Sequence, residues 1–359
     1  MLKGIAIFMV VMGHVIAFGV REIDRTFIFK VIGYMHMPLF FFISGWLTCK
    51  TDANGHLRAP NMVKRACQLL VPLLVVPQLW LWYFPHSGIE TPFLGTFKGL
   101  WESMMKYGYW FTLVLFIIFA VYAGVRPLIN RCRSLALQCV VVACVWGAMY
   151  GLFRLMSPVV ADTLSWYPAI LYWPVFMCGL LAARHREAFY RVALSPTGVT
   201  VAILLAIPSL YYLCFYWEFE SLLNAMPHFS LVAGAVFHVS IAVIAIAVVK
   251  PWSERAFAPD ASLLSRRTAS VWTFLGKKSL SIYLIHYFLL FPLGCCREAL
   301  LAVNLGVVPV IVFSAFWAAA IIAVVLIIDA IISRAPLLAW VLTGTVPSFV
   351  GNAEKKRGA

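Results

Sequence analysis

Apolar residues along this chain come in runs of about 17 to 24, the length a helix needs to cross roughly 30 Å of hydrocarbon. The runs fall near 4–20, 27–47, 66–84, 109–126, 135–153, 166–183, 198–217, 229–249, 279–296 and 307–332, separated by short stretches holding most of the charge. The pattern predicts an all-α polytopic membrane protein, a bundle of about ten transmembrane helices. It predicts one integral domain over 1–335 and a C-terminal cytoplasmic tail over 336–359. The stretch 83–108 is polar and rich in Pro and Gly, and reads as a loop with a surface-lying helix. The opening run lacks a small-residue cleavage site and reads as a retained first span, not a signal peptide.

Composition agrees: 63% of the 359 residues are hydrophobic and 12% charged, against about 25% charged in soluble domains. The net charge of +14, from 28 Lys and Arg against 14 Asp and Glu, is topological, because basic residues gather in cytoplasmic loops. Nucleic acid is excluded as a partner. With alternating connections assigned to opposite sides, Arg21, Arg25, Lys30, Lys98, Lys106, Arg154 and Arg297 lie outside, and the other 21 of the 28 basic residues lie inside. The bias predicts both termini in the cytoplasm and an even number of spans. Nine cysteines without a CxxC pair imply no disulfide framework. Cys295 and Cys296 are the one pair to test for a bond. Pro38, Pro72, Pro77, Pro168, Pro174, Pro208 and Pro292 sit inside the runs, as broken helices around a wet cavity require, although proline is common in membrane helices anyway. No internal repeat is visible, unlike many secondary transporters.

An ionisable group at mid-membrane is costly and marks function by default. His14 lies eleven residues beyond Lys3, three helical turns on the same face and about 16 Å deeper. His36 lies 14 residues from Lys50, about 21 Å from the inner surface, so the two histidines differ in depth by roughly 5 Å. Consecutive helices usually pack side by side, and both imidazoles can then share one cavity. His286 is 8 residues past Lys278, about 12 Å deep. Each histidine alone also suits a helix-to-helix hydrogen bond. A metal site is not expected, because carboxylates are nearly absent from the spans and the cysteines are scattered. No GxxxxGK[ST], GxSxG or GxGxxG motif occurs. What remains is acid–base or nucleophilic work by histidine, which suits group transfer to a hydroxyl.

The run LKGIAIFMVVMGHV, followed by HMPLFFFISGWL, NMVKRACQLLVP, YWFTLVLF and SLSIYLIHYF, resembles the membrane-bound acyltransferase-3 family, in its fucose 4-O-acetyltransferase-like branch. The pieces span residues 3 to about 290. The resemblance implies that 1–335 is an acyltransferase domain in a multi-pass cell membrane protein, of a bacterial cytoplasmic membrane. It implies transfer of an acyl group, acetyl above all, from acyl-CoA to a hydroxyl of a cell-surface glycan or lipid-linked sugar precursor, with no bound cofactor and with membrane lipid as surroundings.

The family motif of a basic residue, ten intervening residues and a histidine falls on Lys3 and His14, and His36 opens the second motif. His14 and His36 are the implied catalytic pair: in a direct transfer His14 is the base and His36 orients it or stabilises charge; in a two-step transfer a histidine carries the acyl group. The family more often has arginine at the place of Lys3, and lysine gives up its bidentate fork. Lys3, Ser44, Gly45, Lys64 and Arg65 are implied donor-binding residues. For Ser44 and Gly45 ordinary helix packing is an equal alternative, and for Lys64 and Arg65 so is plain positive-inside charge. Tyr109 and Trp110 are read as an acceptor platform or an interfacial aromatic belt, with Glu218 and Glu220 as further glycan contacts. Ser281 and His286 form a possible second polar site. The alternative function is a transporter or exporter of an amphiphile.

Overall fold

A computed structural model describes residues 1–19, 27–86, 97–215, 229–290 and 307–347. In chain order the helices are α1 (Leu2–Gly19), α2 (Phe27–Thr48), α3 (Met62–His86), α4 (Phe97–Glu102), α5 (Trp110–Arg131), α6 (Leu135–Leu155), α7 (Pro158–Thr163) and α8 (Trp166–Arg184). They continue with α9 (Arg186–Ala193), α10 (Pro196–Phe215), α11 (Phe229–Ala256), α12 (Leu263–Lys277), α13 (Ser279–Ile285), α14 (Val307–Ile332) and α15 (Pro336–Thr343). Among the described residues, β pairing is confined to a single bridge between Thr51 and Leu57.

The chain forms the all-α polytopic fold its apolar runs predict. Among the described residues, eight helices are long and apolar enough to cross a membrane: α2, α3, α5, α6, α8, α10, α11 and α14. Over their described residues, the first and ninth of the ten expected runs carry apolar helical stretches, Leu2–Ala17 and Ser279–Leu289. Cys295, Cys296 and Pro292 lie outside the described residues. The stretch expected to hold a surface helix carries the short α4 and a 3₁₀ turn at Lys106–Gly108.

The helices gather into two compact units interleaved in sequence. The first comprises Met1–Ala17, Arg21–Lys50 and Leu171–Ser279. Its helices meet backbone to backbone through glycines. A Cβ on Gly45 would stand 1.9 Å from the Phe176 carbonyl oxygen, and one on Gly179 2.0 Å from that of Phe42, so α2 and α8 touch at reciprocal small residues. A Cβ on Gly4 would stand 1.9 Å from the Trp272 carbonyl oxygen, which brings α1 equally close to α12. Pro38 removes one backbone donor from α2, yet the helix runs unbroken across it. Lys30 donates to the Cys214 carbonyl at 2.6 Å and Tyr34 to that of Leu213 at 3.1 Å. Side chains of α2 thus satisfy carbonyls in the last turn of α10, which lack partners within their own helix.

The second unit comprises Phe18–Val20, Thr51–Ile170 and Leu280–Ala359. The loop before α3 is pinned at Leu57, whose N–H and carbonyl are both held by Asn130 and whose carbonyl also accepts from Arg126. The expected tail begins with α15, which sits on α3: the Trp340 indole donates to the Cys67 carbonyl at 2.9 Å. Gly344, at φ 70°, caps α15 in the left-handed region beside the Gln68 carbonyl. Before α5 the backbone takes three successive positive φ values, 46° at Lys106, 50° at Tyr107 and 99° at Gly108. A buried ammonium holds this turn. Lys106 Nζ donates to the carbonyls of Trp101, Ser103 and Asp162 at 2.7, 2.6 and 2.9 Å. Burial draws the Lys106 pKa down to about 8, with Asp162 acting in the opposite direction.

Candidate active site

In the first unit α1 and α2 approach each other next to the two histidines read from the sequence. A Cβ on Gly13, the residue before His14, would lie 3.3 Å from the Ile32 Cγ2 atom, so α1 meets α2 at this level. One helical turn along α2, His36 Nδ1 lies 2.5 Å from the Ile32 carbonyl oxygen. A carbonyl only accepts, so Nδ1 carries the proton, and in the neutral ring Nε2 holds the lone pair. The tautomer is therefore set by the helix backbone. A ring so oriented can take a proton from a hydroxyl at Nε2 without giving up its anchor.

Toward the Lys3 and Lys250 ends of their helices, the same unit lines an open-mouthed cavity of about 640 Å³. Its walls come from Met1, α1 (Leu2, Lys3), α2 (Phe42, Ile43, Trp46, Leu47), α9 (Arg186, Tyr190), α11 (Ile246, Val249, Lys250, Ser253, Glu254) and α12 (Thr273, Gly276, Lys277). Four cations meet one carboxylate there. Lys250 pairs with Glu254 at 2.6 Å and stands 4.6 Å from the centre of the Tyr190 ring; the Arg186 guanidinium lies 5.3 Å from Tyr190 and 6.0 Å from Trp46. Trp46 and Tyr190 themselves lie 5.6 Å apart. Cations at one end, two aromatic faces beside them and an apolar floor suit a ligand with phosphates, a flat ring and a thin chain.

The structure distributes the other expected site residues differently. Lys3 lines the cavity. Gly45 serves the close approach of α2 to α8, and the Ser44 carbonyl accepts a hydrogen bond from Thr48 at 2.6 Å. Lys64 and Arg65 belong to the second unit. Lys64 is exposed, and the Arg65 guanidinium lies 4.4 Å over the Phe119 ring and bonds Gln68. Tyr109 and Trp110, also of the second unit, are buried, at 0% and 7% exposure. The Tyr109 hydroxyl donates to the Leu284 carbonyl, and its ring packs on Tyr283 and Tyr287. A sugar-stacking platform needs an open ring face, and this ring has none. Ser281 and His286 are buried as well, with His286 packed on Tyr287 and its Nδ1 held by the carbonyls of Ile282 and Tyr283. Glu218 and Glu220 lie outside the described residues. Among the described residues no group of three His, Cys, Asp or Glu side chains could hold a metal ion.

Arg186, Lys250, Lys277, Trp46 and Tyr190 carry the chemistry of the cavity and were counted only as topological charge or as apolar filling. Helix packing over long sequence separations brings them together, and no local motif marks them. His238 is different. It sits in the apolar run 229–249 and met the same criterion that singled out His14 and His36, an ionisable group deep in a span.

The acyltransferase-3 model, described as an acyltransferase domain, matches residues 1–332. The chain belongs to the acyltransferase-3 family. The match takes in all of the first unit and the second unit up to residue 332, so it includes the cavity as well as the buried tyrosine cluster. The chain is similar to the nodulation protein NolL of Sinorhizobium fredii (strain NBRC 101917 / NGR234), 29% identical over 206 residues, 52% of this chain and 48% of NolL. It therefore spans about half the length of that curated relative. No solved structure matches.

Proposed function

We propose that this acyltransferase-3 domain moves an acyl group, acetyl above all, from acyl-CoA to a hydroxyl of a cell-surface glycan or its lipid-linked precursor, as a multi-pass protein of the cytoplasmic membrane with both termini inside. The observation that carries the reading is the cavity of the first unit, where Lys3, Arg186, Lys250 and Lys277 surround the Trp46 and Tyr190 rings. The donor's phosphates sit among these cations, its adenine meets the aromatic rings, and its pantetheine arm runs along the apolar floor between α2 and α11 toward the histidine level. In this reading Lys3 belongs to the donor site, and the phosphates go to the first unit's own cations instead of Lys64 and Arg65.

Transfer needs one proton moved. The acceptor hydroxyl attacks the thioester carbonyl, a base drawn from the pair His14 and His36 takes its proton, and the departing thiolate receives a proton in turn. His36 suits this task because its Nδ1 proton points to the Ile32 carbonyl, which leaves the Nε2 lone pair to act as the base. The test is transfer of label from acetyl-CoA to an envelope glycan extract by the purified, membrane-reconstituted protein. Label on the glycan supports the reading; passage of an unmodified amphiphile across the vesicle, without labelling, supports a transporter.

A further inference from the structure

A third histidine of the first unit has no task in this scheme. His238 of α11 is 1% exposed, and its Nδ1 has no hydrogen-bond partner among the described residues. A buried ring nitrogen without a partner costs free energy, and natural interiors rarely leave one unless a water, ligand or chemical step completes it. The ring is not loosely placed. Phe41 of α2, Tyr172 of α8 and His238 form a parallel stack, with centroids 4.4 and 5.3 Å apart and planes within 11° and 16°.

The level of this stack is that of the other two histidines. His238 lies 12 residues from Lys250, about 18 Å along the helix, against about 16 Å for His14 from Lys3 and about 21 Å for His36 from Lys50. Packing agrees with the counting. Phe237, the neighbour of His238, packs with Tyr34 and Met35 in one apolar cluster, and Met35 precedes His36. Three helices of one unit therefore each bring a histidine to one depth, beyond the cationic cavity.

We infer that His238 is an acceptor-binding residue, whose Nδ1 exchanges a hydrogen bond with a hydroxyl of the polyol that receives the acyl group; this rests on the acyl-transfer reading. A hydroxyl both donates and accepts, so it satisfies Nδ1 in either tautomer of the ring. An ordered water offers the same chemistry, and the experiment separates the two.

His238→Phe keeps the stack and removes the nitrogen, while His238→Asn restores a polar atom near the place of Nδ1. Reconstituted protein is assayed for label transfer from acetyl-CoA, with the envelope glycan extract and the acetyl-CoA varied in turn. The half-saturating amount of extract is expected to rise about tenfold in His238→Phe and to recover to within about threefold of wild type in His238→Asn, with the KM for acetyl-CoA unchanged in both, as for loss and return of one buried hydrogen bond. Wild-type dependence on extract in His238→Phe assigns Nδ1 to a structural water and overturns the inference, as does a uniform loss of rate in both variants accompanied by a lower melting temperature. If wild-type protein transfers no label, it is the acyl-transfer reading that fails instead.

Discussion

His36 Nδ1 donates to the carbonyl oxygen of Ile32, one turn back along α2, at 2.5 Å. The bond fixes which ring nitrogen carries the proton and leaves Nε2 as the atom available for chemistry. His36→Ala should lower transfer about a hundredfold or more, the usual range for a lost general base, with protein level and membrane insertion unchanged. Activity within twofold of wild type would remove His36 from the site.

The cavity cations make a second prediction. Arg186→Ala should raise the KM for acetyl-CoA about tenfold, as expected for loss of a charge-assisted hydrogen bond, with kcat little changed. Because part of the attraction is between charges near water, the wild-type KM should climb with ionic strength, and more steeply than that of the variant. A KM unaffected by the substitution would take the donor phosphates elsewhere.

At the crossing of α2 and α8 the obstacle to any side chain is backbone. Gly45→Ala sets a methyl group 1.9 Å from the Phe176 carbonyl oxygen, so the helices must part, at a cost of about 1–3 kcal/mol as for other overpacked sites. A lower melting temperature in detergent is expected, as is the same from Gly179→Ala. Unchanged melting in both would show that the helices do not meet there.

Lys106 gives stability a pH dependence. Its pKa is lowered by burial to about 8 in the fold, below the roughly 10.4 of a free lysine. Between these values the unfolded chain binds more protons than the folded one, so stability rises with pH across that window and is flat in this respect below it. Thermal unfolding from pH 7 to pH 10 should show the rise in wild type and lose it in Lys106→Met. That variant should also melt lower throughout, because three carbonyls lose their donor.

The spans and their all-α arrangement were legible because hydrocarbon thickness imposes one length on every crossing. Tyr109 shows what is not local. Its place at the start of a span suited an exposed platform, and only the packing of Tyr283 and Tyr287 against it, more than 170 residues away, encloses it. Arg186 and Lys250 were likewise readable as inner-surface charge, but their meeting over Tyr190 depends on α9 folding back against α11.

The measurement closest to the central claim is label transfer from acetyl-CoA to envelope glycan by reconstituted wild-type, His14→Ala and His36→Ala proteins side by side. The account predicts an acetyl ester on the glycan with wild type and none above background with either variant, all three being inserted alike. Equal labelling by all three, or movement of an unmodified amphiphile with no labelling by any, would contradict it.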